Sequence, residues 1–164
     1  MREKRLDTLT TALNAITASH RVVIVGDGPD RGFAERALPH AIFTGFLNGE
    51  ELAAAYASSD LFVFPSDSES FGNVTLEAMA SGVPCVCADA TGSRSLVVAG
   101  ETGLLAPADD TQALAAHIVT LLGDARLRAR MGAAARARAL TFSWDETLAR
   151  LLGYYRALLN GTGQ

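Results

Sequence analysis

The sequence predicts an α/β fold, a parallel sheet flanked by helices and followed by a helical C-terminal region. Three observations lead there. Short apolar runs recur at Val22–Val25, Ala41–Thr44, Leu61–Phe64, Val83–Ala88 and Leu104–Ala106. Stretches with helical spacing lie between them, and the last third of the chain keeps that spacing. Alternating strands and helices imply right-handed crossovers and therefore a parallel sheet.

The elements follow in order. Leu6, Leu9, Leu13 and Ile16 recur at three- and four-residue steps, which predicts a helix over about residues 3 to 18. Val22–Val25 is rich in β-branched residues and ends at Gly26-Asp27-Gly28-Pro29, which fits a strand buried on both faces. Glu50–Ala57 reads as a helix behind an Asn48 cap, with Glu51 three residues later. Leu114, Ile118, Leu121 and Leu122 form one apolar stripe. The arginines at 126, 128, 130, 136 and 138 spread around a helix, which reads as a solvated element rather than a basic patch. Ser143 with Glu146 reads as a capping box, followed by an apolar face from Trp144 through Tyr155 to Leu159.

Composition narrows the function classes. A chain of 164 residues is large enough for one domain with a substantial core. It is 49% hydrophobic with a mean hydropathy of +0.19, a globular composition. A net charge of −4 and a pI near 5.3 argue against a nucleic-acid module. No apolar run approaches the roughly 18 residues of a membrane span, and the N-terminus has no apolar signal region. Cys85 and Cys87 alternate on one predicted strand, poor disulfide geometry, and read as core cysteines of a reducing cytoplasm. His20, His40 and His117 are scattered, without partners at metal spacing. The only lysine is Lys4.

The stretch ESFGNVTLEAMASG, Glu69 to Gly82, carries the most chemistry. It sets two carboxylates, Glu69 and Glu77, around a Phe-Gly-Asn turn between two apolar runs. Glu69 falls in a loop at the mouth of the sheet and Glu77 on the first turns of a helix, where ligands bind in open α/β sheets. Taken singly, Glu77 reads as an ordinary surface helix glutamate and Glu69 as a loop glutamate near a cap. Phe71, Gly72, Asn73 and Val74 fall at the helix start, whose N–H groups and dipole favour an anion. Gly72 lets backbone approach closely.

This segment resembles the Glu-x7-Glu signature of family-four retaining glycosyltransferases. Both carboxylates, the Phe-Gly pair, the Glu-Ala and the closing Ser-Gly-Val-Pro fall at that family's spacing. EKRLDTL, VIVGDGP, FTGFL, ETGLLAPADD and FSWDETLARLLGYY are similar to further family segments in the same order. The resemblance covers nearly all of residues 1–164 but only about half of a GT-B enzyme. It implies a Rossmann-like nucleotide-sugar-binding domain, the C-terminal half of the GT-B fold.

The resemblance also implies roles. Glu77 would hold the donor's ribose hydroxyls, Glu69 the donor sugar and Lys4 the diphosphate. Gly26 and Gly28 would form the glycine turn near diphosphate and base. Gly45, Phe46 and Leu47 would line the base. A plain turn explains the last two groups as well, and Lys4 reads equally as a solvated terminal residue. The donor would be a GDP- or UDP-sugar, the acceptor a glycolipid or polysaccharide, and the chemistry metal-independent, without a cofactor. The location implied is cytoplasmic, with peripheral membrane association of a full enzyme at the inner face.

Some features depart from the family pattern. A strand ending in Gly-Arg normally precedes the lysine-bearing helix and is not seen here, so neighbouring strands are expected to lack a partner. A truncated enzyme, or a partner chain that supplies the strand, would account for this. Ser95 stands near a position where many members carry glutamate. The alternative function is a non-catalytic nucleotide-sugar-binding subunit of a two-chain enzyme. A nicotinamide-dependent oxidoreductase fits poorly, because the third glycine of its fingerprint would fall on Arg31.

Overall fold

The computed structural model describes residues 4–69, 71–142, 152 and 156. Its elements are α1 (Leu6–Asn14), β1 (Val23–Val25), α2 (Arg31–Ala37), β2 (Ile42–Gly45), α3 (Gly49–Ala57), β3 (Phe62–Phe64), α4 (Asn73–Ala80), β4 (Cys85–Ala88), α5 (Thr91–Leu96), β5 (Gly103–Ala106), α6 (Thr111–Gly123) and α7 (Ala125–Ala139). The Ser143–Glu146 capping box and most of the apolar face expected after it lie outside the described residues.

All strand pairs are parallel, in two sheets: β1 with β2, and β3–β4–β5. Spatial order follows chain order within each sheet, and among the described residues no strand pairing joins the two sheets. In open parallel α/β sheets, ligands bind beyond the carboxyl ends of the strands.

Helices cover the three-stranded sheet on both sides. Alternation along the strands sends Val63, Val86, Leu104 and Ala106 into a cluster with Leu9 and Leu13 of α1, and Leu114, Ile118 and Leu121 of α6. Phe62, Phe64, Cys85, Cys87 and Leu105 point the other way, onto Ala78 and Met79 of α4, Leu96 of α5 and Ala135 of α7. Ile24 of β1 packs against the first cluster, so both sheets share that core. The Cys85 thiol is pushed up by its hydrogen-bonded neighbour Cys87 and by burial. Both cysteines are free and buried, so they pack rather than react.

Several expectations need correction. Val23 and Val25 are 46% and 40% exposed, so β1 is buried on one face only. Their neighbour across the register, Ile42, is exposed as well, whereas Ile24 packs against the cluster that holds Leu9 and Leu13 of α1. The first helix spans Leu6–Asn14 rather than residues 3 to 18. It starts late because Arg5 is left-handed, with φ 47°, outside the helix. Asn48 precedes α3 but its side chain makes no cap. The working caps are Asp110 of α6 and Asp124 of α7, which accept from Ala113 and Leu127 N–H at 2.8 and 2.9 Å; such caps are each worth about 1 kcal/mol.

The arginines of α7 are not merely solvated. Arg128 donates to the Leu121 and Leu122 carbonyls, 2.6 and 2.9 Å away, and so caps the end of α6. Arg136 donates to the Ala80 carbonyl (2.9 Å), and Arg138 to those of Leu96 and Ser95 (2.5 and 2.9 Å). These bonds fasten α7 to α4 and α5. Gly82 ends α4 in the left-handed conformation, φ 77°. Its N–H donates to Met79 and that of Val83 to Ala78, the paired bonds of a Schellman motif.

Candidate donor-binding site

The loop after β3 carries the site. Pro65 and Ser66 are buried at its root, and Asp67 and Glu69 are partly buried beyond them. The loop turns into α4 through Gly72, whose φ of 89° is left-handed and suits only glycine without strain. The N-cap of α4 is Gly72 itself, which has no side chain to accept from the first turn. Asn73 and Val74 are its first two residues, so their N–H groups have no place in the helix ladder and face the loop. The Phe71 ring is 44% exposed and rests edge-on against Phe142, 6.3 Å between centroids.

Lys4 and Glu69, far apart in sequence, come together. The Lys4 ammonium forms an ion pair with the Glu69 carboxylate and lies 5.1 Å from the centre of the Phe64 ring. Glu77 sits one turn into α4, exposed, and accepts a hydrogen bond of 3.1 Å from the Tyr56 hydroxyl of α3. Burial, and next that carboxylate, raise the Tyr56 hydroxyl well above its ordinary value, so the phenol keeps its proton and remains a donor.

The remaining candidates stand on the other sheet. Gly26 at the end of β1 donates to the Gly45 carbonyl at the end of β2, 2.7 Å away, and both are left-handed, with φ 118° and 72°. Gly28 donates from its N–H to Asp27 at 2.8 Å. Phe46 is 77% exposed at the carboxyl edge and Leu47 half-buried. A hollow of about 220 Å³ lies between the starts of α1 and α2, lined by Arg5, Leu6, Asp7, Asp30 and Phe33. Neither Glu69 nor Glu77 lines it.

Sequence reasoning missed three residues here: Arg5, Asp67 and Asp109. Arg5 donates to Asp67 from Nε (3.0 Å) and Nη2 (2.5 Å), and Nη1 reaches Asp109 at 3.0 Å. The Arg5 hydrogen bonds hold the Asp67 carboxyl below its ordinary range. The sequence signal was only an arginine beside the expected lysine and an Asp-x-Glu in the loop.

Ser95 donates its hydroxyl to the Gly92 carbonyl of its own helix, 2.7 Å away. Among the described residues, no three His, Cys, Asp or Glu side chains are grouped as a metal site, and no helix is long and apolar enough to cross a membrane.

Gly92 at the start of α5 fixes the height of the Glu69 loop. A Cβ there would stand 2.5 Å from the Glu69 carbonyl oxygen. Gly92→Ala is therefore expected to push the Glu69 loop outward and to destabilise the fold by about 1–2 kcal/mol. Thermal unfolding measures the second effect. A midpoint equal to that of the unsubstituted chain would show that the loop yields freely.

Known proteins resemble this chain in sequence and in fold. The family profile described as glycosyl transferases group 1 matches residues 1–124. A GDP-mannose-dependent alpha-mannosyltransferase of Mycolicibacterium smegmatis is 44% identical over 158 residues, 96% of this chain and 41% of that protein. A sulfoquinovosyl transferase of Arabidopsis thaliana is 39% identical over 87% of this chain and 29% of its own length. Among solved structures, sucrose-phosphate synthase from Thermosynechococcus elongatus superposes with a TM-score of 0.84 at 30% identity, covering 99% of this chain and 44% of that one. The Anabaena protein HepE, solved with UDP-glucose, gives 0.82 at 26% identity, covering 96% of this chain and 46% of that one. The chain thus spans less than half the length of these relatives. With a profile over most of its residues and a parallel-sheet fold shared with these structures, the chain belongs to the group 1 glycosyltransferases.

Proposed function

We propose that this chain is the donor-binding domain of a retaining glycosyltransferase, which transfers a hexose from a GDP- or UDP-sugar to a glycolipid or polysaccharide acceptor. The observation that carries the reading is the Lys4–Glu69 ion pair beside the N-terminus of α4 at the carboxyl edge of the sheet. Without ligand, the two charges neutralise each other. A nucleoside diphosphate sugar exchanges both partners at once: its diphosphate takes the ammonium, and its sugar hydroxyls donate to the carboxylate. Each hydrogen bond to a charged group contributes about 1.5–3 kcal/mol. Glu77, oriented by Tyr56, accepts from the ribose hydroxyls.

In transfer, the bond from the anomeric carbon to the diphosphate oxygen breaks. Lys4 and the first N–H groups of α4 stabilise the charge that develops on the leaving diphosphate. The acceptor hydroxyl attacks from the face the diphosphate leaves. The mannosyltransferase names among the relatives favour mannose as the hexose and GDP as the carrier.

Calorimetric titration with GDP and with UDP tests this reading. Saturable binding of one nucleotide is expected, weakened on the order of ten- to a hundredfold by Glu77→Ala, as loss of a charged hydrogen-bond acceptor predicts. Binding of neither nucleotide would overturn the reading. Equal binding by the variant would remove Glu77 from it.

A further inference from the structure

We propose that Arg5 is a positioning residue for the donor site, a clasp that sets the loop carrying Glu69 against the loop after β5. This rests on the donor-site reading above. The geometry starts from two adjacent cations meeting two alternate carboxylates. Lys4 takes Glu69 and Arg5 takes Asp67, both on the loop after β3. The guanidinium then reaches a second loop through Nη1, 3.0 Å from Asp109. Thr8, on the first turns of α1, adds a hydroxyl donor to the same Asp109 oxygen at 3.4 Å. One side chain therefore joins the start of α1 to the ends of β3 and β5.

A second observation marks this junction. Among the described residues, Arg5 and Asp109 are the non-glycine residues with positive φ, 47° and 62°. They are also ion-pair partners. Residues are held in such conformations when their surroundings over-determine them, and such strain gathers at ligand sites. Here the left-handed turn at Arg5 points Lys4 and Arg5 together toward the loop after β3, while that at Asp109 presents its carboxylate to the guanidinium.

Only arginine suits this place. Its planar fork engages Asp67 through two nitrogens and leaves a third for Asp109. Lysine offers a point charge that meets one carboxylate well and the other poorly. When a donor draws Lys4 away from Glu69, Arg5 remains on Asp67 and keeps the loop at its height. Glu69, two residues on, then stays within reach of the sugar. Arg5 need not touch the donor.

The test compares the unsubstituted chain with Arg5→Met and Arg5→Lys. Amide hydrogen exchange is followed in segments 65–72 and 107–110, and nucleotide affinity is measured with GDP and UDP well below the unfolding midpoint. In Arg5→Met, exchange is expected to quicken in both segments while β4 stays protected. Affinity is expected to fall about tenfold or more, as small misplacements of binding groups do. Arg5→Lys is expected to restore protection of one segment and part of the affinity.

Unchanged exchange in both segments would overturn the clasp. Faster exchange with unchanged affinity would overturn its positioning role. If the unsubstituted chain binds neither nucleotide, the donor-site reading itself fails and the positioning role goes with it. If it binds and the variants bind equally, the reading stands and this inference alone fails.

Discussion

Replacing Gly132 with alanine is expected to destabilise the chain by about 3 kcal/mol. That lowers the midpoint of thermal unfolding by roughly 6–12 °C in a protein of this size. The reason is a backbone contact between two glycines. A Cβ at position 132 would stand 2.1 Å from the Gly82 carbonyl oxygen and 3.1 Å from its carbonyl carbon. Gly82 cannot move aside, because its left-handed turn closes α4 and leads straight into β4. The helix must retreat instead.

That retreat loosens the buried residues Met131, Ala135 and Ala139, and it stretches the bonds from Arg136 and Arg138 to the carbonyls beneath them. The change from glycine to alanine inside a helix gains about 1 kcal/mol, and the clash must outweigh that gain. Gly123 is the control. A Cβ there meets nothing within 4 Å. Gly123→Ala is expected to leave the midpoint unchanged or to raise it slightly. If the two variants melt together, the Gly82–Gly132 contact does not hold α7.

This contact illustrates what the sequence could and could not show. Apolar runs located all five strands to within two residues, because strands buried in a sheet are written as continuous Val, Phe, Cys and Ala. The same logic overreached at β1. Val23, Ile24 and Val25 look alike in sequence, yet only Ile24 packs into the shared core. Continuity of an apolar run cannot reveal which face lacks a covering helix.

The candidate site divided in a similar way. The local motif from Glu69 to Val74 was readable because its residues are neighbours and its turn demands glycine at position 72. Family resemblance brings Lys4 and Glu69 to one donor, on its diphosphate and its sugar, but does not give their ion pair. The joint formed by Arg5, Asp67 and Asp109 was not reached at all. It links three exposed or half-buried polar residues distant in the chain, and such residues leave no periodicity. The bonds from Arg128, Arg136 and Arg138 were missed for a related reason. Position on a helical wheel describes where a side chain starts, not which distant carbonyl it reaches.

A chain extended upstream of Lys4 by a short turn and an apolar β-branched strand is expected to melt about 10 °C higher, the shift produced by roughly 4 kcal/mol in a protein of this size. The expectation comes from the split sheet. Among the described residues β1 pairs with β2 and β3 with β4, so β1 and β3 each stand at the edge of a sheet. The groups at those edges can be named. Ile42 donates to the Val22 carbonyl and Phe62 to that of Pro84. Alternation along the strands then aims the backbone groups of Val23, Val25 and Val63 outward from those edges.

Right-handed crossover fixes where the added strand goes. A strand that leads through α1 into β1 lies beside β1 and parallel to it, with its carboxyl end at Lys4. It therefore supplies partners to the edge of β1 and buries its own side chains on the face of the shared core, each worth about 1.5–3 kcal/mol. Amide exchange reads the outcome residue by residue. Val23 and Val25 are expected to gain protection, whereas Phe62, already bonded to β4, changes little. A higher midpoint without new protection at these two valines would mean that the extension packs elsewhere. No change in either would mean that the added strand does not pair with β1, and the expectation fails.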